Sequence, residues 1–202
     1  MTFDGLTIYG DIFKRDGIKV IPFNEYFDTT VDNKIISEIS LNGQYINNHS
    51  KGKEYLDSII KHDQHLEKNV IERNVHRENG GKTARYTLGT ICRDDDYFLM
   101  AFTHFDEDDC AYLSPEDYVN CLMHMWHELD VFYAGRPVNI TLLGNGITRL
   151  KNEEILEQEL LQNIISTFEM SKVQFGNTSS LTIVLSESVR DKINLYNIGR
   201  EE

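Results

Sequence analysis

Val138-Asn139-Ile140-Thr141-Leu142-Leu143-Gly144-Asn145-Gly146-Ile147-Thr148-Arg149 runs a short apolar strand straight into a glycine turn and the start of a helix. Two glycines one residue apart let the backbone approach a ligand and reach positive φ, and a following helix start offers unpaired N–H groups at its positive end. Such a turn suits phosphate. It is equally the form of a plain connection, so the rest of the chain has to decide between the two.

Outward from that stretch, β-branched or aromatic runs bounded by Gly, Asp or Asn predict strands at Leu6–Tyr9, Ile18–Pro22, Tyr86–Cys92, Tyr97–Thr103, Val138–Leu142 and Leu181–Leu185. Helical periodicity predicts helices over Asp32–Ser40, Lys53–Arg73, Pro115–Tyr133 and Asn152–Lys172. The third is the best delimited, with Ser114 as N-cap, Pro115 at the first helical position, Glu116 and Asp117 on the dipole, and Gly135 as the stop. Tyr118, Cys121, Leu122, Met125, Trp126 and Leu129 form its apolar face; Ile155, Leu156, Leu160, Ile164 and Phe168 do the same in the last helix. Strands alternating with helices give an α/β fold, with strand ends sharing one edge. Arg93-Asp94-Asp95-Asp96 reads as a solvated hairpin turn, and Asp106–Asp109 as a strand-to-helix loop.

The 202 residues suffice for one domain with a core that needs neither disulfide nor metal. Asp and Glu outnumber Lys and Arg by 33 to 20, for a net charge of −13, so the long-range field repels nucleic acid and anionic lipid. An anionic ligand then has to be captured locally, by backbone amides and a few placed side chains. Cys92, Cys110 and Cys121 lack C-x-x-C spacing and read as reduced thiols of a cytosolic protein. No run of about 18 apolar residues and no signal peptide is evident, so a soluble chain is expected. Neither acidic run has the spacing of a calcium loop. His124, His127 and Glu128 do not form H-E-x-x-H, and G-x-S-x-G and G-x-x-x-x-G-K-[ST] are absent.

Three further motifs bear on a ligand. Asp11, after Tyr9-Gly10, is either a turn carboxylate or an acceptor for an exocyclic amine such as adenine carries. Asn24, at the end of Val20-Ile21-Pro22-Phe23, can donate to and accept from a ribose hydroxyl. Ser40-Leu41-Asn42-Gly43-Gln44 is either the C-cap of the short helix before it or a second phosphate-facing loop opposite Gly144–Gly146.

The order Gly-Asp-Ile, strand then Asn, glycine loop, and strand then Gly-x-Gly-Ile resembles the macro-domain family. More narrowly, Val20–Asp28, Lys34–Ser37, Ser40–Gly43, Leu88–Ile91 and Leu142–Leu150, with Ile193–Tyr196, resemble the macro domain of Thoeris anti-phage effectors. The resemblance spans nearly the whole chain. It implies a single macro domain over 1–202, a three-layer α/β/α sandwich around a mixed sheet, with ADP-ribose bound at the strand ends. Asp11 and Ile12 match the adenine-contacting pair, and Asn24 the Asn that ends the next strand. Leu41, Asn42 and Gly43 fall in the first phosphate loop. Leu143, Gly144, Asn145, Gly146, Ile147, Thr148 and Arg149 form the second.

The resemblance further implies a sensor with no cofactor. Its ligand is an ADP-ribose conjugate, thought to carry histidine, made from NAD by a partner TIR-domain enzyme, and self-association is its expected output. Membrane helices fused before such domains act as the effector. None is present here, so Met1 begins either an excised domain or a natural variant without the membrane part. The competing reading is an ADP-ribosylhydrolase. Against it, only Gly43 occupies the first loop, where hydrolases carry several glycines, and Asn24 is followed by Glu25-Tyr26-Phe27 rather than a second Asn. Tyr26 and Phe27 are either core aromatics or a platform for a ribose or imidazole, worth about 0.5–1.5 kcal/mol beyond burial. On the second alternative, Asp28 or Glu25 meets the amine of an amino-acid conjugate.

Overall fold

The computed structural model describes residues 6–106, 110–146, 149–150, 156–173, 175 and 180–197. In chain order these form β1 (Leu6–Tyr9), β2 (Ile18–Asn24), α1 (Leu41–Asn48), α2 (Lys53–His62), α3 (Gln64–Lys68), β3 (Val70–Glu72), β4 (Arg85–Tyr86) and β5 (Ile91–Asp94). Then come β6 (Tyr97–Phe105), β7 (Ala111–Leu113), α4 (Pro115–Phe132), β8 (Val138–Thr141), β9 (Arg149–Leu150), α5 (Glu157–Ser171) and β10 (Leu181–Leu185).

The main sheet has the order β1-β10-β8-β2-β6-β7-β9, with β5 also on β6. Neighbours from β1 through β6 are parallel, whereas β5 and β7 run antiparallel to β6, so the sheet is mixed. β3 and β4 form a separate antiparallel ribbon. Alternation along the central strands sorts side chains into two cores. Ile18 and Val20 of β2, with Phe98, Met100 and Phe102 of β6, pack with α4 and α5. Ile21 and Phe23, with Leu99 and Ala101, pack with α1, α2 and α3. Helices thus cover both faces in the expected three-layer α/β/α arrangement.

α4 follows its sequence signals: Ser114 Oγ accepts from Asp117 N at 3.0 Å, Pro115 opens the helix, and all six residues of the apolar face are buried. Ala134 and Gly135 take positive φ of 52° and 72° just after it.

Elsewhere local polar chemistry overrides periodicity. The helix expected over Asp32–Ser40 does not form. Asp32 Oδ1 accepts from the amides of Lys34 and Ile35, and Asn33 Oδ1 from that of Glu38, turns that compete with helix. The helix expected over Lys53–Arg73 is broken at Asp63, whose Oδ1 accepts from His65 and Leu66 N to start α3. The strand expected over Tyr86–Cys92 is interrupted at Gly89, where φ is +90° and a Cβ would lie 2.6 Å from His124 Cβ. α5 begins at Glu157, with Leu156 outside the helix and 59% exposed, and Ile155 lies outside the described residues. The 93–96 hairpin turn forms, but Asp94 is buried rather than solvated, accepting from the hydroxyls of Tyr45 and Tyr55. Asp106 follows the end of β6, and residues 107–109 of that acidic run lie outside the described residues.

Candidate ligand cleft at the strand ends

A cavity of about 700 Å³ opens where β10, β8, β2 and β6 end. It falls within the range of small-molecule sites. Segments from across the chain meet in its wall: Asp11 and Ile12 after β1, Asn24 at the end of β2, Leu41 and Asn42 at the start of α1, and Leu143–Gly146 after β8.

At one end Asp11 caps a single 3₁₀ turn, its Oδ1 accepting from Phe13 N at 3.0 Å. The half-exposed carboxylate keeps acceptor capacity, with Lys14 Nζ 3.9 Å from Oδ2. The Ile12 amide has no hydrogen-bond partner among the described residues. An acceptor and a donor therefore stand side by side, the pattern that reads the edge of an aminated base.

The first glycine loop is not a helix C-cap. Ser40 instead starts α1, its Oγ accepting from Gly43 N at 3.2 Å. That bond leaves the amides of Leu41 and Asn42, both in the cavity wall, without a partner among the described residues. Gly43 itself is buried and does not line the cavity. A Cβ there would lie 2.1 Å from the Ser37 carbonyl, so glycine is required for the loop to pack on the helix.

Opposite, Gly144 holds φ +90°, a value L side chains rarely adopt. The Asn145 amide is tied to Leu142 O, and the Leu143 carbonyl accepts from Tyr118 OH at 2.9 Å. Burial pushes the Tyr118 phenol up, which keeps it a donor. The amides of Gly144 and Gly146 have no partner among the described residues. Ile147 and Thr148 lie outside the described residues, and Arg149 is described only as backbone of β9. Helix-start amides on one lip and turn amides on the other make a cradle for an anion. Asp11 and Lys34 are the charged side chains in the wall among the described residues.

The Asn24–Asp28 turn is partly a correction. Asn24 lines the cavity, yet its Oδ1 accepts from Tyr26 N and Asp28 N, and its Nδ2 donates to Asp28 Oδ2 at 3.1 Å. One N–H of that amide remains. Tyr26, Phe27 and Asp28 do not line the cavity. Phe27 takes φ 52° and packs edge-on to Tyr86 in the core, while Tyr26 lies under the Arg77 guanidinium, 4.3 Å from its ring centroid. Asp28 is bound by Arg77, Lys82 N and Asn24. Glu25 is likewise spent on His104 and Phe105 N. A strand end brings its last residue to the cleft, and a tight turn then carries the next ones back into the core.

Sequence reading missed Thr103, Phe105 and Cys110 in the far wall and Ser186 after β10. Thr103 and Phe105 lie in the last three residues of β6, Ser186 directly follows β10, and Cys110 directly precedes β7. The sheet order that brings them beside Asn24 was the missing information.

Comparison with known proteins agrees with this fold. A protein-family model described as the macro domain of Thoeris protein ThsA matches residues 7–186. Thoeris protein ThsA of Bacillus amyloliquefaciens (strain Y2) is 43% identical over 197 residues. That alignment covers 96% of this chain but 66% of the relative, so the chain spans just under two-thirds of the relative's length.

Proposed function

Since this chain belongs to the macro-domain family of Thoeris protein ThsA, we propose that it is the ligand-sensing domain of an anti-phage defence effector. The cleft binds an ADP-ribose-derived signal. One observation carries this reading: Asp11 and Ile12, the α1 start and the Gly144–Gly146 turn, far apart in sequence, converge on one cavity. The nucleobase meets Asp11 and the Ile12 amide, and the diphosphate lies between the amides of Leu41 and Asn42 and those of Gly144 and Gly146. In a chain of net charge −13 such amide capture is the available route to a dianion.

In this reading the signal is an ADP-ribose conjugate, most simply one carrying histidine, produced from NAD by a TIR-domain enzyme. Ligand binding draws the two lips together and shifts the domain or its oligomer toward an active arrangement, by no more than the difference in affinity for the two states. Binding is favoured over hydrolysis by the wall itself. Its titratable side chains among the described residues are Asp11, Lys34 and Cys110, and the Asn24 amide is largely committed to its turn. A general acid–base pair beside the distal sugar is not on offer there.

Thermal shift combined with mass spectrometry tests the reading, using ADP-ribose and its histidine and imidazole conjugates. Stabilisation with the ligand recovered intact supports a sensor. Cleavage supports a hydrolase, and absence of any shift contradicts both.

A further inference from the structure

β2 and β6 run in register from Lys19 opposite Tyr97 to Phe23 opposite Ala101, and then slip so that Asn24 pairs with Thr103. The slip passes over Phe102, and a bulge of this kind re-aims the side chains beside it. It occurs where both strands reach the cleft: Pro22, Asn24, Phe102, Thr103 and Phe105 all line the cavity. Thr103 is only 6% exposed, and its hydroxyl has no hydrogen-bond partner among the described residues. With no such partner, that hydroxyl is free to exchange hydrogen bonds with a ligand in the cavity that Thr103 lines. Its register partner Asn24 keeps one Nδ2 N–H beyond the bond to Asp28.

We infer that Thr103 is a specificity-determining residue of the cleft, and that its hydroxyl binds the sugar at the distal end of the ligand together with the free amide N–H of Asn24. The inference rests on the proposed ADP-ribose reading, which sets the ligand's direction. With the base beyond β1 and the diphosphate at the β8 turn, the sheet order carries the remaining sugar over the ends of β2 and β6. Neighbouring strands lie about 4.8 Å apart, so two groups on facing residues reach the two hydroxyls of one vicinal diol. A threonine hydroxyl both donates and accepts, as a sugar hydroxyl does, and the apolar surround of Pro22, Phe102 and Phe105 strengthens such a bond. A site built this way rejects a ligand that lacks the hydroxyl.

Isothermal titration of the parent, Thr103→Val and Thr103→Ser tests it, with ADP-ribose, its histidine conjugate, and ADP, which has the base and diphosphate but no distal sugar. Thr103→Val keeps the shape and removes the hydroxyl. It is expected to weaken the sugar-bearing ligands about tenfold, the net worth of one good hydrogen bond, and to leave ADP unchanged. Thr103→Ser is expected to restore the parent affinity. Unchanged affinity of Thr103→Val for the sugar-bearing ligands overturns the inference, as does an equal loss of ADP or a failure of Thr103→Ser to rescue. A parent that binds none of the three overturns the ADP-ribose reading itself, and the inference with it.

Discussion

Asp28 and Arg77, 49 residues apart, form a 2.6 Å ion pair with side chains only 2% and 5% exposed. The pair backs the cleft. Asp28 also receives Asn24 Nδ2 and Lys82 N, and the Arg77 guanidinium lies over the rings of Tyr26 and Phe105. One buried charge pair thereby fixes both the Asn24 turn and the Phe105 wall.

Asp28→Ala removes the buried carboxylate that accepts from Arg77, Lys82 N and Asn24 Nδ2. The expected cost is about 3–5 kcal/mol of folding stability, measured by urea unfolding, because a broken buried pair costs more than the intact pair contributes. Ligand affinity falls through the loosened Asn24 turn, not through a lost contact. A variant of parental stability that has lost binding would show Asp28 touching the ligand after all.

Gly43→Ala brings a methyl to within 2.1 Å of the Ser37 carbonyl, a backbone atom that cannot rotate away. A loss of about 1–3 kcal/mol is expected, typical of overpacking, with weakened binding as the α1 start shifts. Parental thermal stability would mean that the Ser37–Ser40 loop yields easily.

A Cβ on Gly146 meets nothing within 4 Å. Gly146→Glu is therefore expected to unfold within about 0.5 kcal/mol of the parent, as a surface substitution does. Its bulk and negative charge at the phosphate cradle should weaken ADP-ribose at least about 100-fold in titration calorimetry. Retained affinity would place the diphosphate elsewhere.

Asp57 gives a pH signature outside the cleft. Partial burial works against its ionisation, but hydrogen bonds from Lys53, Lys82 and Thr29 outweigh this and hold the carboxyl down at about 2. A depressed folded pKa stabilises above the ordinary carboxylate value, and that stability is lost as pH falls through the folded value. Stability should decline between about pH 4 and pH 2. Because the group is a third exposed, the Asp57 share is only about 1 kcal/mol. Asp57→Asn removes that share of the slope in acid unfolding, and an unchanged slope would show the three contacts to be too weak to matter.

Much of this was legible in the sequence where one local signal acts alone. Ser114-Pro115 delimits α4 because capping and the fixed φ of proline act within a single turn. The six-residue apolar face of that helix is buried as its spacing requires. Legibility failed where two signals compete, as at Asp32-Asn33, whose side chains capture the amides that a helix needs. It failed again where sheet order decides, as at Thr103: only the crossing of β2 beside β6 makes that residue a neighbour of Asn24. The choice left open at Tyr26–Asp28 has the same origin, since proximity in sequence to Asn24 says nothing about which residues the turn carries back into the core.

The central claim, that the cleft holds an intact ADP-ribose-type nucleotide, is tested most directly by titration calorimetry with ADP-ribose and its histidine conjugate, followed by mass spectrometry of the recovered ligand. Saturable one-to-one binding, abolished by Gly146→Glu and with the ligand mass unchanged, is the predicted result. No binding of either compound, or recovery of a cleaved product, would contradict it.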